Sequence, residues 1–167
     1  MKNNLNNKNG FSSAEYSGRT FFEHILDDSA SVTDIQFTPT RFDSVDVFWT
    51  KNGKKNVGEI KYRINYASTA STMIDEGVMI EKIKYDALMS YYHTQGIQPY
   101  YISFFKDDKA IIFDLSKIDK PNWVEEKNKF PKTTMGESIG DKKKVPKVVG
   151  YLKPELGKKI NYIQKVD

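Results

Sequence analysis

The chain of 167 residues contains no cysteine. Disulfides, thiolate zinc sites, iron–sulfur clusters and cysteine nucleophiles are therefore excluded, and the composition fits a reducing, cytoplasmic compartment. No apolar run approaches the ~20 residues needed to span a membrane. The opening residues, Met1-Lys2-Asn3-Asn4-Leu5-Asn6-Asn7, lack the apolar stretch of a secretory signal. Residues 1–11 read as a disordered lead-in to a single domain over 12–167. A glycine-rich phosphate loop is missing, which argues against nucleotide hydrolysis, and so is a Ser-His-Asp arrangement. The two histidines, His24 and His93, belong to no recognisable metal cluster. Arginine is scarce, with only Arg19, Arg41 and Arg63. Lysine and asparagine are abundant, a usage that points to an AT-rich genome such as that of a low-GC bacterium or its phage.

What is there suffices for a real core: 38% of residues are hydrophobic and 13% aromatic. The net charge of +4 is unevenly placed, with −2 on residues 1–116 and +6 on residues 117–167. A mildly acidic body with a basic last third suits a nucleic-acid partner. The competing reading is that lysine only solubilises this surface.

Hydrophobic periodicity predicts the following order. A helix runs from about Ser13 to Leu26, opened by the capping-box spacing of Ser12-Ser13-Ala14-Glu15, with Gly18, Phe22, Ile25 and Leu26 on one face. A short strand covers Val32 to Thr38 and is broken by Pro39. Two strands, Ser44 to Lys51 and Asn56 to Ile64, flank an Asn52-Gly53 turn. A long helix runs from about Asp75 to Thr94, with Ile80, Ile83, Ala87, Leu88 and Tyr91 as its buried stripe, and is stopped by Gly96 and Pro99. Strands at Pro99 to Phe105 and Ala110 to Leu115 follow. Trp123 to Lys127 reads as a helical turn, Thr133 to Lys144 as a mobile loop and Lys147 to Leu152 as a last edge strand. The aromatic run Tyr100-Tyr101-Ile102-Ser103-Phe104-Phe105 reads as core before it reads as a surface for stacking bases. The order implies an α/β or α+β fold: a mixed sheet of four or five strands flanked by helices.

The hairpin carries the chemistry. If Asn52-Gly53 is a two-residue type I′ turn, Lys51 pairs with Lys54 and paired residue numbers sum to 105. Asp46 then opposes Glu59, the two sharing a face with Cβ atoms roughly 4.5–5.5 Å apart. Lys61, two residues on, shares that face. Val45, Val47 and Ile60 make the other face apolar. A four-residue turn moves Asp46 opposite Lys61 with Glu59 still beside it; a three-residue loop puts Asp46 out of phase. Two opposed carboxylates repel each other. A divalent cation offsets this, since Mg²⁺ is held by one or two carboxylates together with phosphate oxygens. Lysine pairing on an exposed strand face is the alternative account of the same residues.

Asp46 and Glu59-Ile60-Lys61 resemble the signature of the PD-(D/E)XK nuclease superfamily, the fold of many restriction endonucleases and Holliday-junction resolvases. The likeness in order and spacing covers roughly residues 12–115. The residue before Asp46 is Val45 where the family name has proline. On this resemblance Glu23 stands in the place of the first helix's acid, with Glu15 as its competitor, and Lys84 in the place of the later helix's polar residue, with Lys82 as the fallback. Asp43 competes with Asp46, but its parity differs from that of Glu59. The resemblance implies a restriction-endonuclease-like sheet, Mg²⁺ or Mn²⁺ held by Asp46, Glu59 and Glu23, catalytic assistance from Lys61 and Lys84, and DNA as substrate. Structure-directed or low-specificity cleavage is expected, with a homodimer plausible for paired cuts. A catalytically inactive DNA-binding or phage structural module on the same fold is the rival expectation.

Overall fold

A computed structural model of the chain describes residues 13–27, 31–39, 43–63, 77–127 and 145–162. The first helix, α1 (Ser13–Asp27), leads into β1 (Val32–Phe37), β2 (Val47–Lys51) and β3 (Lys54–Arg63). Then come β4 (Val78–Glu81), α2 (Lys82–Gln95), β5 (Gln98–Phe105) and β6 (Lys109–Asp114), followed by β7 (Val124–Glu126), β8 (Lys147–Leu152) and β9 (Lys158–Asn161). The fold is α+β. Its main sheet has six strands in the order β1-β2-β3-β5-β6-β9, mixed because β3 and β5 run parallel while the other neighbours are antiparallel. The parallel pair is joined through β4 and α2, as parallel strands need a long crossover. None of the helices among the described residues is long and apolar enough to cross a membrane.

Among the described residues the expected sheet of four or five strands has six, and there is a second sheet, β4-β8-β7. The expected edge strand Lys147–Leu152 forms, but as the centre of that second sheet and with β9 still to come. Trp123 to Lys127, expected as a helical turn, instead contains β7, which pairs with β8. The long helix starts later than its periodicity suggested. Val78 and Ile80 alternate with half-buried Met79 and Glu81 and pair with Leu152 and Gly150. Their wholly buried side chains serve a strand, and Ile83, expected in the helix's buried stripe, is 72% exposed. The helix ends as expected: Gly96 takes the left-handed conformation (φ 67°), and its N–H and that of Ile97 donate to Tyr92 O and Tyr91 O. Asp75 and the Thr133 to Lys144 loop lie outside the described residues, as does the lead-in at 1–11.

The hairpin register is the two-residue form. Asn52 and Gly53 both have positive φ (51° and 72°), as a type I′ turn requires, and the ladder runs from Lys51↔Lys54 to Val47↔Gly58. Two cores lie on opposite faces of the main sheet. Phe22 and Leu26 of α1 pack with Val47, Trp49, Ile60, Ile102 and Phe104. Tyr85 and Leu88 of α2 pack with Val57, Tyr101, Phe105, Ile111 and Phe113. The aromatic run is thus core, its residues alternating between the two faces. Val47 and Ile60 share a face as expected, but Val45 belongs to the other core. The cause is an irregularity at Asp46, described below.

Gly58 precedes the site for a packing reason. A Cβ there would stand 3.0 Å from Ile102 Cδ1, 3.1 Å from Trp49 Cζ3 and 3.3 Å from Val47 Cγ1. Gly58→Ala is expected to destabilise the chain by about 1–3 kcal/mol through overpacking, read by urea unfolding. A neutral result would mean that the neighbouring side chains give way freely.

Candidate functional site

Glu59 sits in the middle of β3, flanked in the sheet by Tyr101 of β5. Strand alternation turns its side chain to the α2 face, and there it is fully buried at 0% exposure. Two ammonium groups meet it. Lys61 Nζ lies 2.7 Å from Oε1 and Lys84 Nζ, from α2, lies 3.0 Å from Oε2. These are ion pairs by distance, yet neither Glu59 oxygen accepts a hydrogen bond of good angle. Lys84 Nζ also donates to Asp43 O at 3.2 Å. Burial pushes the Glu59 carboxyl above the ordinary carboxylate range; Lys61 opposes this, Asp46 adds to it and Lys84 opposes it. For Lys61, burial disfavours the charged form, but the carboxylates of Glu59 and Asp46 outweigh it and raise the pKa. The Lys61 side chain is 38% exposed, so part of it reaches the surface.

Asp46 stands where β2 leaves the ladder. Beyond Val47↔Gly58 the register slips: the Asp46 N–H donates to Gly58 O at 2.9 Å and Thr38 N donates to Asp46 O at 2.9 Å. The Asp46 carboxylate then takes the place of a backbone acceptor, its Oδ2 accepting from Ile60 N at 2.7 Å. This slip is what sends Val45 to the opposite face from Val47. It also leaves Asp46 at the rim, within electrostatic reach of Glu59 and Lys61 on one side and of Arg19 from α1 on the other.

Arg19 was not singled out by motif reasoning. Its Nη2 is 4.0 Å from Asp46 Oδ1, its Nη1 donates to Thr38 O at 2.9 Å, and its guanidinium lies 5.2 Å from the centre of the Phe37 ring. Burial lowers its pKa against the pull of Asp46, Glu15, Asp43 and Glu59, and guanidinium remains charged at any working pH. The usable signal in the sequence was scarcity: a chain that relies on lysine keeps arginine for positions that use its rigid fork. Arg63 fits the same pattern. Its Nη2 donates to Met79 O at 2.7 Å and to the Tyr101 hydroxyl at 3.1 Å, tying β3 and β5 to β4.

Of the residues expected at the site, Asp46, Glu59, Lys61 and Lys84 come together. Glu23 does not join them. It is an exposed residue of α1, the helix packed on the Ile60 face, and no group of three or more His, Asp or Glu side chains that could hold a metal exists among the described residues. Between the two helix acids, it is Glu15 whose charge is felt at Arg19. Lys82, the alternative to Lys84, pairs with Asp86 and lies over the Trp123 ring, turned from the site. His24 and His93 take no part.

Asp46 and Glu59 are the two residues of this group that could hold a hard divalent cation. Asp46 and Glu59 offer carboxylate oxygens, and the buried Glu59 oxygens lack well-aligned donors. Two carboxylates match the way Mg²⁺ is held, with phosphate and water completing its shell. The chain matches no protein-family model, no curated protein and no solved structure.

Proposed function

We propose that the chain is a divalent-metal-dependent nuclease of the PD-(D/E)XK kind, with a restriction-endonuclease-like fold and DNA as its substrate. The observation that carries this reading is the Glu59 carboxylate. It is fully buried, held by two lysines and within electrostatic reach of Asp46. Desolvating a carboxylate is costly, and a fold has little structural use for one in a sheet interior. Asp46 and Glu59 would hold Mg²⁺ or Mn²⁺. Bound there, such an ion polarises a phosphate and lowers the pKa of a coordinated water. Lys61, partly open to solvent, offers its ammonium to the charge that develops on the phosphate. Lys84 binds the same phosphate or orients the attacking water. Arg19 orients Asp46 from the opposite face. The basic last third of the sequence supports a polyanionic partner.

One observation favours the rival reading, a DNA-binding module without catalysis. Lys61 and Lys84 already neutralise the buried Glu59 carboxylate, so it is compensated without a metal ion. The two readings part in a cleavage assay on supercoiled, linear and branched DNA, and on RNA, with Mg²⁺ and Mn²⁺. Metal-dependent cleavage of DNA is expected, and Asp46→Asn is expected to remove it. The asparagine keeps an oxygen to accept from Ile60 N, so the fold survives and the loss reports on chemistry. An absence of cleavage on every substrate, together with no binding of either ion, would favour the rival reading.

A further inference from the structure

At the turn end of the hairpin, the main sheet lines a cavity of about 560 Å³. Asn56 of β3 and Gln98 of β5 are register partners at this cavity, as are Tyr100 of β5 and Asp114 of β6. Asn56 opposes Trp49 in the hairpin, so its side chain turns to the α1 face of the sheet, away from Glu59. Asn56 is only 5% exposed. Its Nδ2 donates to Lys54 O at 2.8 Å and to Trp49 O at 3.3 Å, which fixes which end of the amide is the oxygen. Gln98 is fixed in the same way, its Nε2 donating to Asp114 Oδ1 at 2.5 Å and to Ser116 Oγ. The oxygens Asn56 Oδ1 and Gln98 Oε1 accept no hydrogen bond from any described residue. Two neighbouring acceptors, one of them on a buried residue, thus stand at the cavity without protein donors, and buried polar groups ordinarily find partners.

The rim of the cavity is cationic. Lys51 and Lys54 face each other across the turn, both line the cavity, and neither makes an ion pair among the described residues. Lys117 is held by Asp114 at 3.0 Å. Burial works to raise the Asp114 carboxyl, but hydrogen bonds from Ser116, Lys117 and Gln98 outweigh it and hold it below its ordinary range. Asp114 is therefore ionised and committed to Lys117, which leaves the charges of Lys51 and Lys54 unbalanced. Tyr100, its ring centre 5.4 Å from that of Trp49, adds an aromatic wall. We propose that this cavity binds a nucleoside phosphate, with the phosphate on Lys51 and Lys54, the N–H groups of the base on Asn56 Oδ1 and Gln98 Oε1, and the base against Tyr100. A bare anion leaves the two amide oxygens unmet, and an apolar ligand leaves the two ammonium groups unmet; a ligand with an anionic end and a donor edge satisfies both. Stacking on the tyrosine is open to any base. The volume lies within the roughly 300–1,000 Å³ of small-ligand sites. Glu59 lies on the other face of the sheet, so the site does not depend on the nuclease reading. A free nucleotide and the end of a nucleic-acid strand present the same groups.

The test is titration calorimetry of the full chain, without divalent ions, against AMP, GMP, CMP, UMP and inorganic phosphate, and then against a short single strand phosphorylated at its end. The three nucleotides whose bases carry an amino group are expected to bind more tightly than UMP, and all four more tightly than inorganic phosphate. Replacing both Lys51→Met and Lys54→Met is expected to weaken nucleotide binding at least about tenfold, the scale of losing charge-assisted contacts, and added salt is expected to weaken it in the wild type. Lys158→Met together with Lys159→Met, an exposed pair on β9, is expected to leave binding unchanged. The strand supports the proposal as the mononucleotides do, and whichever binds more tightly identifies the source of the nucleotide. Inorganic phosphate bound as tightly as AMP, a β9 pair that weakens binding as much as the Lys51 and Lys54 pair, or no binding of any nucleotide or strand overturns it.

Discussion

Glu59→Gln is expected to abolish metal-dependent cleavage and, at neutral pH, to leave the protein more resistant to heat. The two effects have one cause. The carboxylate is fully buried, and its pKa is raised by that burial despite two neighbouring ammonium groups. A group whose folded pKa lies above its unfolded value favours the folded state most when it is protonated. That contribution is complete below the unfolded pKa and is lost as pH rises through the folded pKa. At neutral pH the wild-type chain therefore lacks the full contribution it has in acid, and the neutral isostere restores it. The advantage of the variant in melting temperature should shrink to nothing as the pH falls to about 4, near the ordinary carboxylate range, where the wild type is protonated too. Thermal melts of both proteins across that interval measure it. Catalysis moves the other way. Glutamine offers one neutral oxygen where the site needs a charged oxygen donor, and the loss in rate should be at least about a hundredfold, the scale for removing one group that stabilises transition-state charge. A variant that is less stable than wild type at neutral pH, or one that still cleaves, refutes the account of Glu59 as strained for function. Stability given up at a working site is a common trade.

Phe22→Ala is expected to cost about 3–5 kcal/mol, the usual range for deleting a buried aromatic ring. Phe22 is 1% exposed and is the largest fully buried side chain of α1 among the described residues. Its ring centre lies 5.0 Å from that of Trp49 and 6.4 Å from that of Phe37. For a chain of this length the melting temperature should fall by roughly 6–20 °C. The damage should reach the site, because Phe37 is also the ring over which the Arg19 guanidinium lies. Loosening α1 frees Arg19 from Asp46 without touching either residue. Cleavage assayed well below the melting temperature of the variant should be weakened less than in Asp46→Asn. A stability loss under about 1 kcal/mol would show that α1 is held by something other than this aromatic cluster.

The sequence by itself determined what depends on near neighbours. Asn52-Gly53 favours positive φ at both residues, so the turn type, and with it the pairing of Lys51 with Lys54, follows from two adjacent residues. Side-chain alternation along β3 then put Glu59 and Lys61 on one face without further information. The face of α1 that carries Gly18, Phe22 and Leu26 was legible in the same way, from a period of 3.6 residues. The tertiary structure alone decided what depends on partners far along the chain. Val78–Glu81 reads as the start of a helix until β8, some seventy residues later, offers its backbone as a partner. Asp46 opposes Glu59 by number, yet its carboxylate turns to the Ile60 N–H, because strand β2 begins only at Val47 and an amide of β3 would otherwise go unmet. That choice moves Val45 across the sheet and opens the rim to Arg19, a residue no local pattern connects to Asp46. Lys84 reaches Glu59 only because the crossover helix packs on the face where Glu59 is buried. Pairing within a hairpin is a local matter of turn geometry. The charges that surround the pair come from whichever helices the two hydrophobic cores hold against it, and the packing of those cores is a property of the whole fold.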